Sequence, residues 1–209
     1  RFCSQMTSRR GITHFVGFGI DFGTTRTVVA TSDRGNYPVV SFESETGDAV
    51  EWFPSVVAEK EGRLSFGFEA LALGADPSVA QLRSFKRLLS GEHASAAAEV
   101  TIGRTRIPVG ELIERFVDAL VVALKTRSNL SKSWKALEAE GLEAVVATPA
   151  NAFCTQRFAT LEAFRRAGFS VRAMLNEPSA AGFEYSHRHA RTISSTREHA
   201  AVYDLGGGP

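Results

Sequence analysis

The sequence predicts an α/β fold: three strands open the chain, an irregular insertion follows, and helices then alternate with strands. Three observations carry this prediction. Phe15 to Phe42 holds three short apolar runs separated by turn residues. Leu112, Ile113, Phe116, Val117, Leu120, Val121 and Leu124 recur every three or four residues, the spacing of a helix face. From there to residue 205, apolar runs of strand length alternate with helical stretches, which implies a layered core with right-handed crossovers.

The elements follow in order. Residues 1–13 are polar and mixed, a loose leading segment. Phe15–Phe22 reads as a buried strand, Gly23-Thr24-Thr25 as a tight turn and Thr27–Thr31 as a second strand. Asp33-Arg34-Gly35-Asn36 carries hairpin turn chemistry and leads into a third strand, Tyr37–Phe42, completing an antiparallel meander. Residues 45–110 form an inserted subdomain. Within it, Trp52, Phe53, Val56 and Val57 predict a short strand broken by Pro54. Phe68–Gly74 and Ser78–Leu89 predict short helices, Gly91–Glu99 a small-residue linker, and Val100–Ile107 a strand pair or edge.

Residues 14–44 and 111–209 make the core lobe. Its amphipathic helix has Glu111 in the first turn and Lys125 and Arg127 near its end, signs that suit the helix dipole. Leu142–Thr148 is a buried strand closed by Pro149, and Ala152–Ala167 a helix stopped by Gly168. Val171–Leu175 is a strand, and Glu177-Pro178 opens a third helix, with proline where a helix tolerates it. Arg188–Glu198 is a polar loop, and Ala200–Leu205 a last strand entering Gly206-Gly207-Gly208.

Bulk properties narrow the function. The 209 residues are 44% hydrophobic, enough for a sizeable core, and the formal net charge of +1 argues against a nucleic-acid partner, which needs clustered cationic excess. No run of about 18 apolar residues exists, so no membrane-spanning helix is expected. The two cysteines, Cys3 and Cys154, fit a reducing cytoplasm better than a disulfide scaffold. Cys154 is expected to be a packing residue. Residue 1 is Arg rather than Met, with Met6 a candidate start, and the chain stops on Pro209 inside a glycine turn. Both ends predict a truncated chain.

Chemistry concentrates at two acid–glycine turns. In Gly19-Ile20-Asp21-Phe22-Gly23-Thr24-Thr25 a carboxylate ends a strand, glycine allows close backbone approach, and two hydroxyls follow. The hydroxyls and backbone N–H groups suit phosphate oxygens, and the carboxylate suits water around Mg²⁺. An ordinary hairpin turn is the alternative. Asp204-Leu205-Gly206-Gly207-Gly208 repeats the logic, and two such turns would clamp one nucleotide tail. No GxxxxGK[ST] loop exists, and Gly17-Phe18-Gly19 lacks the third glycine of the dinucleotide fingerprint, with Phe22 in its place. HExxH and CxxC sites are absent, and His187-Arg188-His189 is a weak metal pair.

GIDFGTT, SFKRLL, AVVATPANAFCTQR, LNEPSAA and DLGGG, in this order, resemble the Hsp70 chaperone family, from about residue 14 to the end. The resemblance implies the N-terminal half of an Hsp70 nucleotide-binding domain: one lobe of an actin-like ATPase (ribonuclease H-like) fold, a βββαβα core carrying a smaller inserted subdomain. It implies ATP/ADP and Mg²⁺ as cofactors, with Asp21 and Asp204 holding the hydrated ion. Gly23, Thr24 and Thr25 would contact the β- and γ-phosphates. Lys86 would reach the γ-phosphate and position the attacking water, and Glu177 would orient water nearby. Pro149 and Arg157 match a pair that relays nucleotide state to a substrate domain. On the residues alone, Lys86 also fits a wet helix face, Glu177 a first-turn acid, Pro149 a strand stop and Arg157 a surface cation.

Two positions depart from the family. Arg26 stands where Hsp70s carry an aromatic residue or Asn, so a cation there is expected to touch phosphate. Pro209 replaces a threonine. The implied partners are the missing second lobe, a substrate-binding domain, and co-chaperones or an exchange factor. The competing readings are a non-catalytic nucleotide sensor and a metabolite kinase of the same fold.

Overall fold

The computed structural model describes residues 17–33, 35–90 and 94–189. A five-stranded mixed sheet forms its centre. β1 (Gly17–Phe22) pairs antiparallel with β2 (Arg26–Thr31) and parallel with β11 (Leu142–Thr148), which pairs parallel with β12 (Phe169–Asn176). β5 (Phe53–Pro54) closes the far edge against β2, giving the order β12-β11-β1-β2-β5.

Alternation along β1 sorts the two faces. Phe18, Ile20 and Phe22 point into one core together with Val29, Ala144 and Val146. That face is covered by α2 (Val109–Arg127) and α4 (Cys154–Arg166). The buried side of α2 holds all seven residues of the periodic stripe, Leu112 to Leu124. The opposite face carries Gly19, Asp21, Val28, Ala30, Val145 and Ala147. It borders a cavity of about 510 Å³, roofed by α5 (Glu177–Arg188) through Ala180, Phe183, Glu184 and His187.

The insertion supplies smaller sheets. β3 (Phe42–Glu43) pairs with β4 (Ala49–Val50). β6 (Val56–Lys60) lies between β7 (Arg63–Phe66) and β8 (Ala80–Arg83), and α1 (Gly67–Leu73) follows β7. A 3-10 helix (Phe85–Leu89) follows β8, and β9 (Glu99–Ile102) pairs with β10 (Thr105–Pro108). α3 (Trp134–Glu140) precedes β11.

Three expectations are corrected, and one element is new. Cys154, expected to be a packing residue, is exposed at the start of α4. Tyr37–Phe42 is not a strand: its contact with β2 reduces to one bridge, Ala30 to Val39, and two hydrogen bonds, from Thr31 N to Pro38 O and from Val40 N to Val29 O. Pro38 has no N–H to donate to a longer ladder. Ser78–Leu89 is not a helix. It is β8, paired with β6, followed by the 3-10 turn, and Ser84 (φ 57°) breaks the chain between them. The short helix α3 was not anticipated at all. It is anchored by Trp134 and Leu137, both buried. The polar loop expected at Arg188–Glu198 overlaps the end of α5, which takes in Arg188. The rest of that loop, the last strand and the glycine turn lie outside the described residues, as does the N-terminal segment.

Candidate functional site

The turn between β1 and β2 is built by packing from below. Ser55 joins β5 to β6 and clamps the turn at both ends. Its Oγ donates to the Gly23 carbonyl at 2.9 Å, and its N–H donates to the Thr25 carbonyl at 3.0 Å. The Thr27 hydroxyl lies 3.1 Å from the Ser55 hydroxyl. A Cβ at Gly23 would stand 2.3 Å from the Arg26 carbonyl oxygen, so this turn closes only around glycine. Thr24 is half-buried and Thr25 exposed.

Lys86 enters the same place from the insertion. It is buried, with 4% of its side chain exposed. Nζ donates to the Phe22 carbonyl, the last before Gly23, and lies 5.0 Å from the Phe22 ring centroid. It also forms an ion pair with Glu177 Oε1 at 3.5 Å. Burial pushes the Lys86 amine below its ordinary range, while the carboxylates of Glu177 and Asp21 push it back up. Three candidates therefore converge: Asp21 at the end of β1, Lys86 on the 3-10 turn and Glu177 at the first position of α5. Glu177 reaches the site because Asn176 ends β12 beside the end of β11, at Thr148.

Pro149 and Arg157 are joined by a short relay. The Pro149 carbonyl accepts from Ala152 N at 3.0 Å, and the Ala152 carbonyl accepts from Arg157 Nε at 3.3 Å. Arg157 also donates to the side-chain oxygen of Asn176, the residue before Glu177. The Arg26 guanidinium stacks 4.7 Å from the Trp52 ring centroid. Asp204, Gly206, Gly207 and Gly208 lie outside the described residues. Among the described residues no cluster of three His, Cys, Asp or Glu side chains is arranged for a metal ion, and no helix is long and apolar enough to cross a membrane.

Sequence reasoning missed Ser55, Asn176 and the Phe22 carbonyl. Ser55 had no signal, since its role depends on β5 and β6 belonging to different sheets. Asn176 sits inside the LNEPSAA motif and was available by position.

The sequence model of the family described as Hsp70 protein matches residues 17–209. The chain belongs to the Hsp70 family. Among curated relatives, a "Chaperone protein HscA homolog" of Acinetobacter baylyi is 30% identical over 200 residues, covering 93% of this chain and 32% of that protein. "Chaperone protein dnaK3" of Thermosynechococcus vestitus is 32% identical over 203 residues, covering 91% of this chain and 28% of its own length. "Chaperone protein HscA" of Yersinia enterocolitica is 30% identical over 199 residues, at 91% and 31% coverage. The chain thus spans about a third of the length of the Hsp70 relatives it matches.

Proposed function

We propose that this Hsp70 chain is the ATP-handling lobe of a chaperone ATPase with the actin-like fold. The observation that carries the reading is the convergence of Lys86, Glu177 and Asp21 on the Gly23 turn. A buried amine next to a glycine turn is fixed positive charge, already desolvated, where a phosphoryl group would arrive.

The roles then follow. Gly23, Thr24 and Thr25 bind the β- and γ-phosphates. Lys86 holds the γ-phosphate and the attacking water, and Glu177 orients that water. Asp21, an exposed carboxylate at a strand end, offers the oxygen-donor chemistry that suits a hydrated Mg²⁺; Asp204 is its proposed counterpart. When bound, the ion neutralises charge on the phosphate tail. Arg157 ties α4 to the residue before Glu177, a direct route by which the site is sensed from the Pro149 turn. The core lobe (14–44 and 111–209) and the insertion (45–110) are the two parts that Lys86 bridges. A second lobe, a substrate-binding domain, co-chaperones and a cytoplasmic setting complete the proposal.

Titration of the chain with ATP, with and without Mg²⁺, tests it. Mg²⁺-dependent ATP binding that weakens in Asp21→Ala is the expected result. Absence of any Mg²⁺-dependent binding at millimolar ATP would remove the reading.

A further inference from the structure

Beside the Gly23 turn lies a second cavity, of about 220 Å³, lined by Thr25, Arg26, Trp52, Ser55, Arg83 and Ser84 among others. Its two arginines come from different sheets, yet the backbone register places them together. Arg26 on β2 is opposite Pro54, and Arg83 on β8 is opposite Val56. Pro54, Ser55 and Val56 are one continuous stretch, so the two guanidinium-bearing positions face its two ends. Ser84 then turns the chain in a left-handed conformation (φ 57°). Arg83, before this turn, stays exposed, whereas Lys86, after it, is buried.

The arginines are also prepared for a ligand. Trp52 stacks on Arg26 and fixes the plane of its guanidinium. Arg83 is held by a 3.3 Å hydrogen bond to Gln81 Oε1. Among the described residues neither arginine forms an ion pair with a carboxylate. Two guanidinium groups with no carboxylate partner, on one cavity with Thr25 and Ser84, supply the kind of donors that a tetrahedral oxyanion takes. At about 220 Å³ the cavity has room for a tetrahedral anion together with its bound water.

We infer that this cavity is a second oxyanion subsite, separate from the Lys86 position, that holds inorganic phosphate. The assignment stands on these residues and does not depend on the ATPase reading. If that reading holds, the subsite lies next to the place where hydrolysis releases its phosphate, and Thr25 borders it.

Calorimetry with inorganic phosphate, at ionic strength held constant with chloride, tests the subsite. Arg26→Gln and Arg83→Gln are each expected to weaken phosphate binding about tenfold or more, the effect of losing one charge-assisted contact. Both side chains are exposed, so these variants are expected to fold. Arg87→Gln, at an exposed cation that does not line the cavity, should leave phosphate binding within about twofold. Trp52 gives an independent readout: phosphate should change its fluorescence, and Trp52→Phe should abolish the change. Phosphate binding insensitive to both arginine substitutions overturns the inference. So does an equal loss in Arg87→Gln, which would reduce the effect to general surface charge. Mg²⁺-ADP supplies the same phosphate chemistry on a nucleotide. If the arginine variants weaken ADP but not free phosphate, the cavity is part of the nucleotide site and the inference fails. If ADP and ATP do not bind at all while arginine-dependent phosphate binding persists, the subsite stands and the ATPase reading falls.

Discussion

Lys86 has a cost and a purpose that can be measured separately. Burial disfavours its charged form, so the folded chain binds this proton less tightly than the unfolded chain does. The stability that Lys86 allows therefore rises with pH, from its depressed folded value up to its ordinary 10.5. Lys86→Met should flatten that alkaline rise in urea unfolding measured across pH. Glu177→Gln removes a carboxylate that opposes the depression, so the rise should begin at lower pH. Superimposable pH profiles for the three proteins would show that the amine is not held as described. Gly23 makes a simpler case. A methyl group there meets backbone, which cannot rotate aside, so Gly23→Ala is expected to cost roughly 1–3 kcal/mol by denaturant unfolding. At this scale the sequence was only partly legible. Asp21 and Gly23 could be read from chemistry alone. Lys86 and Glu177 needed the family resemblance, because nothing in SFKRLL says which of its cations is buried. Arg26 was expected at phosphate, and its stacking on Trp52 is a contact with a residue 26 positions away that local pattern does not record.

Among elements, the join between core and insertion is aromatic. Phe116 on α2 is fully buried. It packs against Phe22 of β1 (5.6 Å between centroids), Phe53 of β5 (5.4 Å) and Phe85 of the 3-10 helix (4.9 Å). One ring thus touches the strand that ends in the Gly23 turn, the strand that leads to Ser55 and the helix that carries Lys86. Phe116→Ala should lower stability by about 3–5 kcal/mol in urea titration, and Phe116→Leu distinctly less. A loss below 1 kcal/mol, about the scale of an exposed substitution, would mean that the three elements are held without it. The 3-10 helix depends also on Ser84. Ser84→Val puts a β-branched residue where φ is positive, which is expected to cost about 1–3 kcal/mol and to loosen Lys86 from the Phe22 carbonyl. Elements with strong periodicity were legible: α2, α4 and β11 fall close to where their apolar spacing puts them. The failures have two causes. β8 exists because β6 lies beside it, about 24 residues earlier in the chain, and local pattern carries no record of such a partner. Tyr37–Phe42 falls short of a strand at Pro38, a signal the sequence itself carried.

For the whole molecule, the arrangement of the site sets how much chemistry the chain can do. The described residues bring Lys86, Glu177, Asp21 and the Gly23 turn to one wall. In phosphoryl transfer the protein contributes fixed geometry and fixed charge, both of which weaken when water has access from the open side. Hsp70 relatives are about three times as long as this chain, and under the proposed actin-like fold the nucleotide lies between two lobes. The 209-residue chain by itself is therefore expected to bind Mg²⁺-ATP more weakly than micromolar and to turn it over barely above the uncatalysed rate. Calorimetry gives the first quantity and single-turnover phosphate release the second. If the chain alone binds at micromolar or tighter with steady turnover, the one wall is sufficient. In that case Lys86 and Glu177 must complete the transition-state contacts without an opposing lobe, and the two-lobe argument fails even though the family assignment stands.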